Sequence, residues 1–311
     1  MIKHKEEAYE KNNALLAATI FSIIIGLSFM FVKITLTYEG QLLILAQRFT
    51  FAFLGVLVFC VIKPVSLRLN PSETALVFLI SLFYPLIFFS SQILGLDHST
   101  VTEAGIIQAT APAITVLLAS LFLKEHIQKI QGIGIFLSIA GVIFLQLMSR
   151  SGNYEFHLIG NLLIVVSILA TAVYQVMSRS VTQKVSPLQV TIYIIFVGFI
   201  FFNSVYFIQN GSLNEYAHSM TELPYLLSIL FLGVLSTAGT SLLSIFAVSK
   251  LPVIQVSVFN NLATLITILS GIIILNEPFH YYHIIGAIII ILGVLLVNTH
   301  NRPRRIYEKE K

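Results

Sequence analysis

The sequence predicts an all-α membrane protein of ten transmembrane helices, arranged as two five-helix repeats of inverted topology. Three observations predict it. The 311-residue chain is 57% apolar and 10% charged, with a mean hydropathy of +0.91. Apolar stretches long enough to cross a bilayer recur ten times. The second half of the chain also matches the first at a fixed offset. A soluble domain carries about 25% charged residues. With so few charges, a soluble fold of this size would expose large apolar patches and aggregate. The composition therefore excludes a soluble enzyme, a nucleic-acid-binding domain and a disordered chain. The single cysteine, Cys60, excludes an internal disulfide framework and a cysteine-based metal site.

The spans run over 14–35, 41–62, 74–95, 101–122, 127–148, 158–178, 187–208, 224–247, 252–275 and 281–299. Each approaches the ~17–25 residues that a helix needs to cross a bilayer. Strands are excluded because runs such as Ile284–Val297 do not alternate apolar and polar residues. Helix starts are written at Asn70-Pro71, Ser186-Pro187 and Leu251-Pro252, since proline is tolerated in a first turn. The first span is too long for a signal-peptide core and lacks a small-residue cleavage site after Lys33, so a retained first helix is expected. The division is a tail over 1–13, a first repeat over 14–148, a second over 158–299 and a basic tail over 300–311.

Orientation follows from lysine and arginine. With the N-terminus inside, 15 of the 18 lie on the cytoplasmic side: Lys3, Lys5, Lys11, Lys63, Arg68, Lys124, Lys129, Arg179, Lys184, Lys250, Arg302, Arg304, Arg305, Lys309 and Lys311. The outer side receives Lys33 and Arg150, and Arg48 falls inside the second span. Both termini are then cytoplasmic, in the plasma membrane of a bacterium. The basic tail contacts anionic inner-leaflet lipids, and no nucleic acid is expected as a partner.

The repeat has an offset of 152. Leu123-Lys124-Glu125 matches Leu275-Asn276-Glu277, Gly134 matches Gly286, and Gly141 matches Gly293. Seven of 25 positions are identical between 123–147 and 275–299. A second offset, 146, aligns Gly26–Lys33 with Ala172–Arg179. Five helices per half is an odd number, so the second half enters from the opposite face, the architecture of many secondary transporters.

These residues also carry a family resemblance. Ile25-Gly26-Leu27-Ser28-Phe29, ending in Lys33, resembles the Trp-Gly-x-x-Phe…Lys start of EamA-type repeats. Arg48-Phe49 resembles the Arg-Phe of the following helix. Ala111-Pro112-Ala113 and Leu123-Lys124-Glu125 resemble the Pro…Leu-Gly-Glu element, and Leu275-Asn276-Glu277-Pro278 resembles its second copy. The chain resembles, over about 14–299, a ten-helix member of the drug/metabolite transporter superfamily. Two departures stand out: the chain has no tryptophan, and Thr264 stands where the second half would carry the counterpart of Pro112.

No motif of hydrolysis, phosphate binding or metal ligation occurs, and no histidine pair sits four apart on a helix. No enzyme activity, cofactor or metal is expected. The informative residues are polar ones inside spans, which must find partners or water. Gln108 and Asn260 correspond under the offset and are candidates for holding a polar group of a substrate, or for tying helices together; Asn261 and Thr110 adjoin them. Pro112 lacks the N–H that would return to the Gln108 carbonyl, and so predicts a kink. The resemblance implies that helices one, three, four, six, eight and nine line the cavity. On these stand Ser28, Tyr84, Tyr174, Gln175, Thr237 and Thr240. Serine and threonine often bond the preceding turn instead.

Arg48 lies seven residues into the second span and is a candidate to pair with Glu103 or a substrate carboxylate. Thr100-Val101-Thr102-Glu103 reads as a capping box; the competing role for Glu103 is proton coupling. Glu125 and Glu277 are expected to stabilise the starts of helices five and ten. The function expected is export of a small amino-acid-like metabolite, neutral or zwitterionic, by a monomer. The alternative is a membrane-embedded receptor, scaffold or enzyme.

Overall fold

The structure is a computed structural model. It describes residues 2–62, 64–65, 67–123, 127–151, 157–182, 184–209, 211–243 and 253–298. Side chains among these are described except at 2–11, 123, 146, 149–151, 179–180, 253–261 and 298. The described residues are helical, without strands. In chain order the helices are α1 (Ile2–Leu36), α2 (Gln41–Ile62), α3 (Pro71–Ser81), α4 (Phe88–Asp97), α5 (Val101–Gln108), α6 (Ala111–Leu123) and α7 (Lys129–Ser151). Then follow α8 (Leu158–Val181), α9 (Pro187–Ile208), α10 (Leu213–His218), α11 (Leu223–Leu230), α12 (Val253–Ile273) and α13 (Tyr281–Asn298).

Seven stretches are long and apolar enough to cross a membrane: Asn12–Leu36, Gln41–Ile62, Pro71–Asp97, Val101–Phe122, Leu158–Ser178, Pro187–Ile208 and Leu223–Leu243. Shorter apolar helices run over Lys129–Leu145, Leu262–Ile273 and Tyr281–Val297. The distribution of polarity is that of a protein dissolved in lipid. Val61 (82% exposed) and Phe136 (72%) face outward, whereas Gln47, Arg48, Thr102, Glu103 and Asn161 are buried.

Helix starts follow local chemistry. Asn70 N–H donates to Glu73 Oε2 at 2.8 Å, and Gln189 N–H donates to Ser186 Oγ at 3.2 Å, each just before a first-turn proline. The Leu251-Pro252 start lies outside the described residues. Three expected helices are not single rods. The third breaks into α3 and α4 around a wide-turn segment, Leu82–Ile87, in which Tyr84 is extended (φ −137°, ψ 108°) ahead of Pro85. A similar segment, Phe231–Gly239, follows α11 in the second half. The fourth breaks at Ala109-Thr110, just before Pro112, while α12, with Thr264 in the matching place, is continuous. The two halves therefore do not bend alike. The loop expected over 209–223 holds α10 and one 3-10 turn.

Elements matched by the repeat cross antiparallel. Phe49 and Phe53 of α2 stack on Phe202 and Phe199 of α9, so residue numbers rise on one helix as they fall on the other. In the α7–α13 crossing, a Cβ added to Gly134 would lie 2.5 Å from the Gly293 carbonyl oxygen, and one added to Gly293 would lie 2.6 Å from that of Gly134. Only glycine permits that approach. Gly26 serves α1 and α12 likewise, since a Cβ there would meet Ile266 and the Ala263 carbonyl. Across the halves α1 packs on α12 as α8 packs on α6, and α8 packs on α4 as α1 packs on Phe231–Gly239. The core between them is apolar, with Phe29, Ile44, Phe49, Leu96, Ile107, Ile164 and Phe202 at its centre.

Candidate functional site

A cavity of about 380 Å³ lies between the halves, within the ~300–1,000 Å³ usual for small-molecule sites. It runs from Gln108, at the break between α5 and α6, to Thr182 and Pro187, which are exposed at one end of the molecule. We call this the open end. Phe21, Ile25 and Phe29 of α1 form an apolar wall. Tyr84, Gln108, Thr115, Tyr174, Gln175 and Thr240 supply polar groups. The rings of Tyr84 and Tyr174 stack with centroids 4.9 Å apart. The extended backbone at Tyr84 turns that side chain out of the helical register of α3, which brings it to α8. Gln175, in the last third of α8, is exposed where it lines the cavity. Its Oε1 accepts from Thr115 Oγ1 at 3.2 Å. Gln108 Oε1 is buried without a hydrogen-bond partner among the described residues.

Of the residues expected from sequence, Tyr84, Tyr174, Gln108, Gln175, Thr240 and the kink-forming Pro112 meet at this cavity. Thr240 also returns a hydrogen bond to the Ser236 carbonyl at 2.7 Å. Ser28 and Thr110 do not line it: both are buried and donate to their own preceding turns, at Ile25 and Ile107. Thr237 faces Arg48 rather than the main cavity. The side chains of Asn260 and Asn261 lie outside the described residues. Sequence reasoning missed Thr115, Thr171, Thr191 and Thr264 in the lining. Thr264 was signalled only by its match to Pro112.

The main cavity does not reach the opposite end, where a buried polar network stands beside a separate outer pocket of about 720 Å³ lined by Lys33, Ser99, His157 and Glu277; we call this the sealed end. Glu103 Oε2 accepts from Asn161 Nδ2 at 2.6 Å, and Asn161 Oδ1 accepts from Ser99 Oγ at 2.5 Å. The His157 Nδ1 and His283 Nε2 atoms stand 3.6 and 3.7 Å from the two Glu103 oxygens. His283 Nδ1 accepts from the His280 N–H at 3.1 Å, which fixes the proton on Nε2, aimed at the carboxylate. Lys33 donates to the carbonyls of Leu96 and Ser99 at 2.6 and 2.7 Å.

Three expectations are corrected here. Thr100 Oγ1 does accept from Glu103 N–H at 3.0 Å, but the Glu103 carboxylate turns to Asn161 and completes no capping box. Glu277 does not serve its own helix. It caps α5, accepting from Val101 N–H, Thr102 N–H and Thr102 Oγ1, each at 2.7 Å. It reaches them from a turn where Asn276 has a left-handed φ of 52°, a conformation that glycine and asparagine tolerate best. That explains the glycine of the resembled Leu-Gly-Glu element. Arg48 does not pair with Glu103: its hydrogen bonds go to Thr237 and Ser236. Glu125 lies outside the described residues.

Comparison with known proteins agrees with this anatomy. The model of the EamA-like transporter family matches residues 12–147 and again 158–299. An uncharacterized transporter of Bacillus subtilis, YcxC, is 37% identical over 310 residues, covering 98% of each chain. UDP-xylose transporter 1 of Arabidopsis thaliana is 24% identical over 201 residues, covering 62% of this chain and 57% of that one. A solved crystal structure superposes with a TM-score of 0.63 over 94% of this chain and 99% of the other at 17% identity, a likeness of fold. With a helical fold, apolar membrane-spanning segments and a cavity between two halves that are each fitted by the same family model, the chain belongs to the EamA-like transporter family.

Proposed function

We propose that the protein is a secondary transporter that moves a small amino-acid-like metabolite, neutral or zwitterionic, out of a bacterial cell by alternating access. The observation that carries this reading is the cavity itself. It is polar at Gln108, walled by aromatic rings, open at one end and sealed at the other. Ten crossings follow when the three shorter apolar helices are counted with the seven long ones. Five per half makes the repeats 14–148 and 158–299 inverted, and the antiparallel crossings of α2 with α9 and α7 with α13 support this. The charge bias puts both termini, the tails 1–13 and 300–311 and the open end in the cytoplasm of a plasma-membrane protein, next to anionic lipids. A single chain supplies both halves of the cavity, so a monomer suffices.

A nucleotide sugar, the cargo in the name of one relative, is the second reading. Among the described residues the cavity lining holds no lysine or arginine for a diphosphate, which favours the smaller solute. Comparing metabolites released by cells with and without the gene tests the reading. Release of one amino-acid-like solute should depend on the gene, and Gln108→Ala and Asn260→Ala should each cut it while membrane abundance holds. Identical release profiles would sink it. Reporter fusions after Arg150 and Gly211 should read external and one after Lys184 internal; an external C-terminus would end the inverted arrangement.

A further inference from the structure

We propose that Arg48 is the anion anchor of the substrate site, and that the transported solute carries a carboxylate. This rests on the transport reading above and adds to it the charge that the solute must bear.

Arg48 is 4% exposed, two turns into α2. Its Nε donates to Thr237 Oγ1 at 3.0 Å and its Nη2 to Ser236 Oγ at 3.3 Å, the second long for a good bond. The guanidinium carbon lies 4.3 Å from the Phe89 ring centroid. Among the described residues it has no carboxylate partner, and Nη1 makes no hydrogen bond. A guanidinium does not shed its charge. Burying such an ion without a counter-charge is costly, and a ring contact offsets only part of that cost. Two hydroxyls and a ring thus leave the site short of one negative charge. A carboxylate supplies it, because its two oxygens match the guanidinium fork.

The route is short. A water-sized void of about 20 Å³ is lined by Phe89 and Thr237, both partners of Arg48, and by Tyr84, Tyr174, Thr191 and Ser241. The last four also line the main cavity. Arg48 itself lies behind Phe89 and Thr237 and lines neither space. The four shared side chains border both, so parting the stacked tyrosines would join void and cavity and bring a carboxylate up to Arg48. The body of the solute would then lie along the aromatic wall toward Gln108.

The first test needs no ligand. Thermal midpoints of the purified full-length protein are compared for wild type, Arg48→Met and Arg48→Lys. If Arg48 awaits an anion, Arg48→Met removes an uncompensated charge, and its midpoint equals or exceeds that of wild type. If Arg48 is a structural tie between α2 and the 231–239 segment, Arg48→Met melts lower or fails to fold, and the proposal falls. The second test uses the solute whose release depends on the gene. That solute should carry a carboxylate, its carboxamide should compete about 10- to 100-fold less well, and Arg48→Met should erase the difference. A solute without an anionic group, or equal competition by acid and amide, overturns the anchor while transport stands. Absence of any gene-dependent solute sinks transport instead, and the midpoint comparison still decides whether Arg48 lacks a counter-charge.

Discussion

The two ends of the molecule treat buried polarity in opposite ways. At the sealed end Glu103, Asn161, Lys33 and Glu277 all meet protein partners. Around the cavity Gln108 Oε1 meets none, and Arg48 meets hydroxyls and a ring but no opposite charge, among the described residues. Satisfied networks rigidify; unsatisfied ones carry a standing cost that a ligand relieves. Residue type alone therefore does not separate brace from binding site. What separates them is how far the protein itself counters the buried charge and polarity: at the sealed end even His283 Nε2, without a hydrogen bond among the described residues, faces the Glu103 carboxylate at 3.7 Å.

Breaking the sealed end should have the largest effect. Glu277→Ala strips two backbone N–H groups and one hydroxyl at the start of α5 of their acceptor. We expect a loss of about 2–3 kcal/mol, read as a clear fall in the thermal midpoint of the purified protein. An unchanged midpoint would erase the contrast between the two ends. Glu103→Gln keeps an acceptor for Asn161 and loses only the charge facing two imidazoles, so a loss of about 1 kcal/mol is expected. Its transport should keep the wild-type pH profile. Lost gradient-driven movement with retained substrate exchange would instead make Glu103 a coupling group.

In the cavity the sign should reverse. Gln108→Leu removes an unsatisfied oxygen, so its midpoint should match or exceed wild type by up to about 1 kcal/mol while transport fails. A marked destabilisation would make Gln108 a helix tie. The smallest effect belongs to the rim of the sealed end. Burial, and then the nearby Glu215, pushes the Glu39 carboxyl above its ordinary range. Its charged form is thus disfavoured by folding, and stability declines as pH rises through its titration. Glu39→Gln should raise the midpoint slightly at neutral pH and not at acidic pH, seen in melts across pH. Partly exposed carboxylates give small effects, so a large shift would mean that this rim is more tightly closed than its exposure suggests.

Much of this was legible in sequence because membranes impose strong patterns. Long apolar runs, scarce charges and the spaced glycines Gly134, Gly141, Gly286 and Gly293 report helix crossings directly. Tyr84, Tyr174, Gln108 and Gln175 were legible as polar residues within apolar runs. The rest depended on contacts between residues far apart in the chain. Glu277 caps residues 175 and 176 positions away, and nothing local to either segment encodes that choice. Ser28 and Thr110 look like Thr115 and Thr240 in sequence, since which face of a helix meets the cavity is set by packing. The break at Tyr84 was equally hidden, because Pro85 alone announces a disturbance without giving its direction.

The crossing of α7 with α13 has one more property. Under the 152 offset the contact of Gly141 with Ile290 maps onto that of Gly293 with Ser138, and the contact of Gly286 with Leu145 onto that of Gly134 with Val297. The seam is its own image, an isologous contact of the kind that two identical subunits make about a twofold axis. A five-helix unit bearing this glycine pattern could dock onto a second copy of itself inserted in the opposite sense. Had the two halves been encoded as separate, identical chains, every substitution in this seam would have struck twice. Fusion into one chain removes that constraint and lets the two sides of the axis diverge, as Pro112 and Thr264 have done.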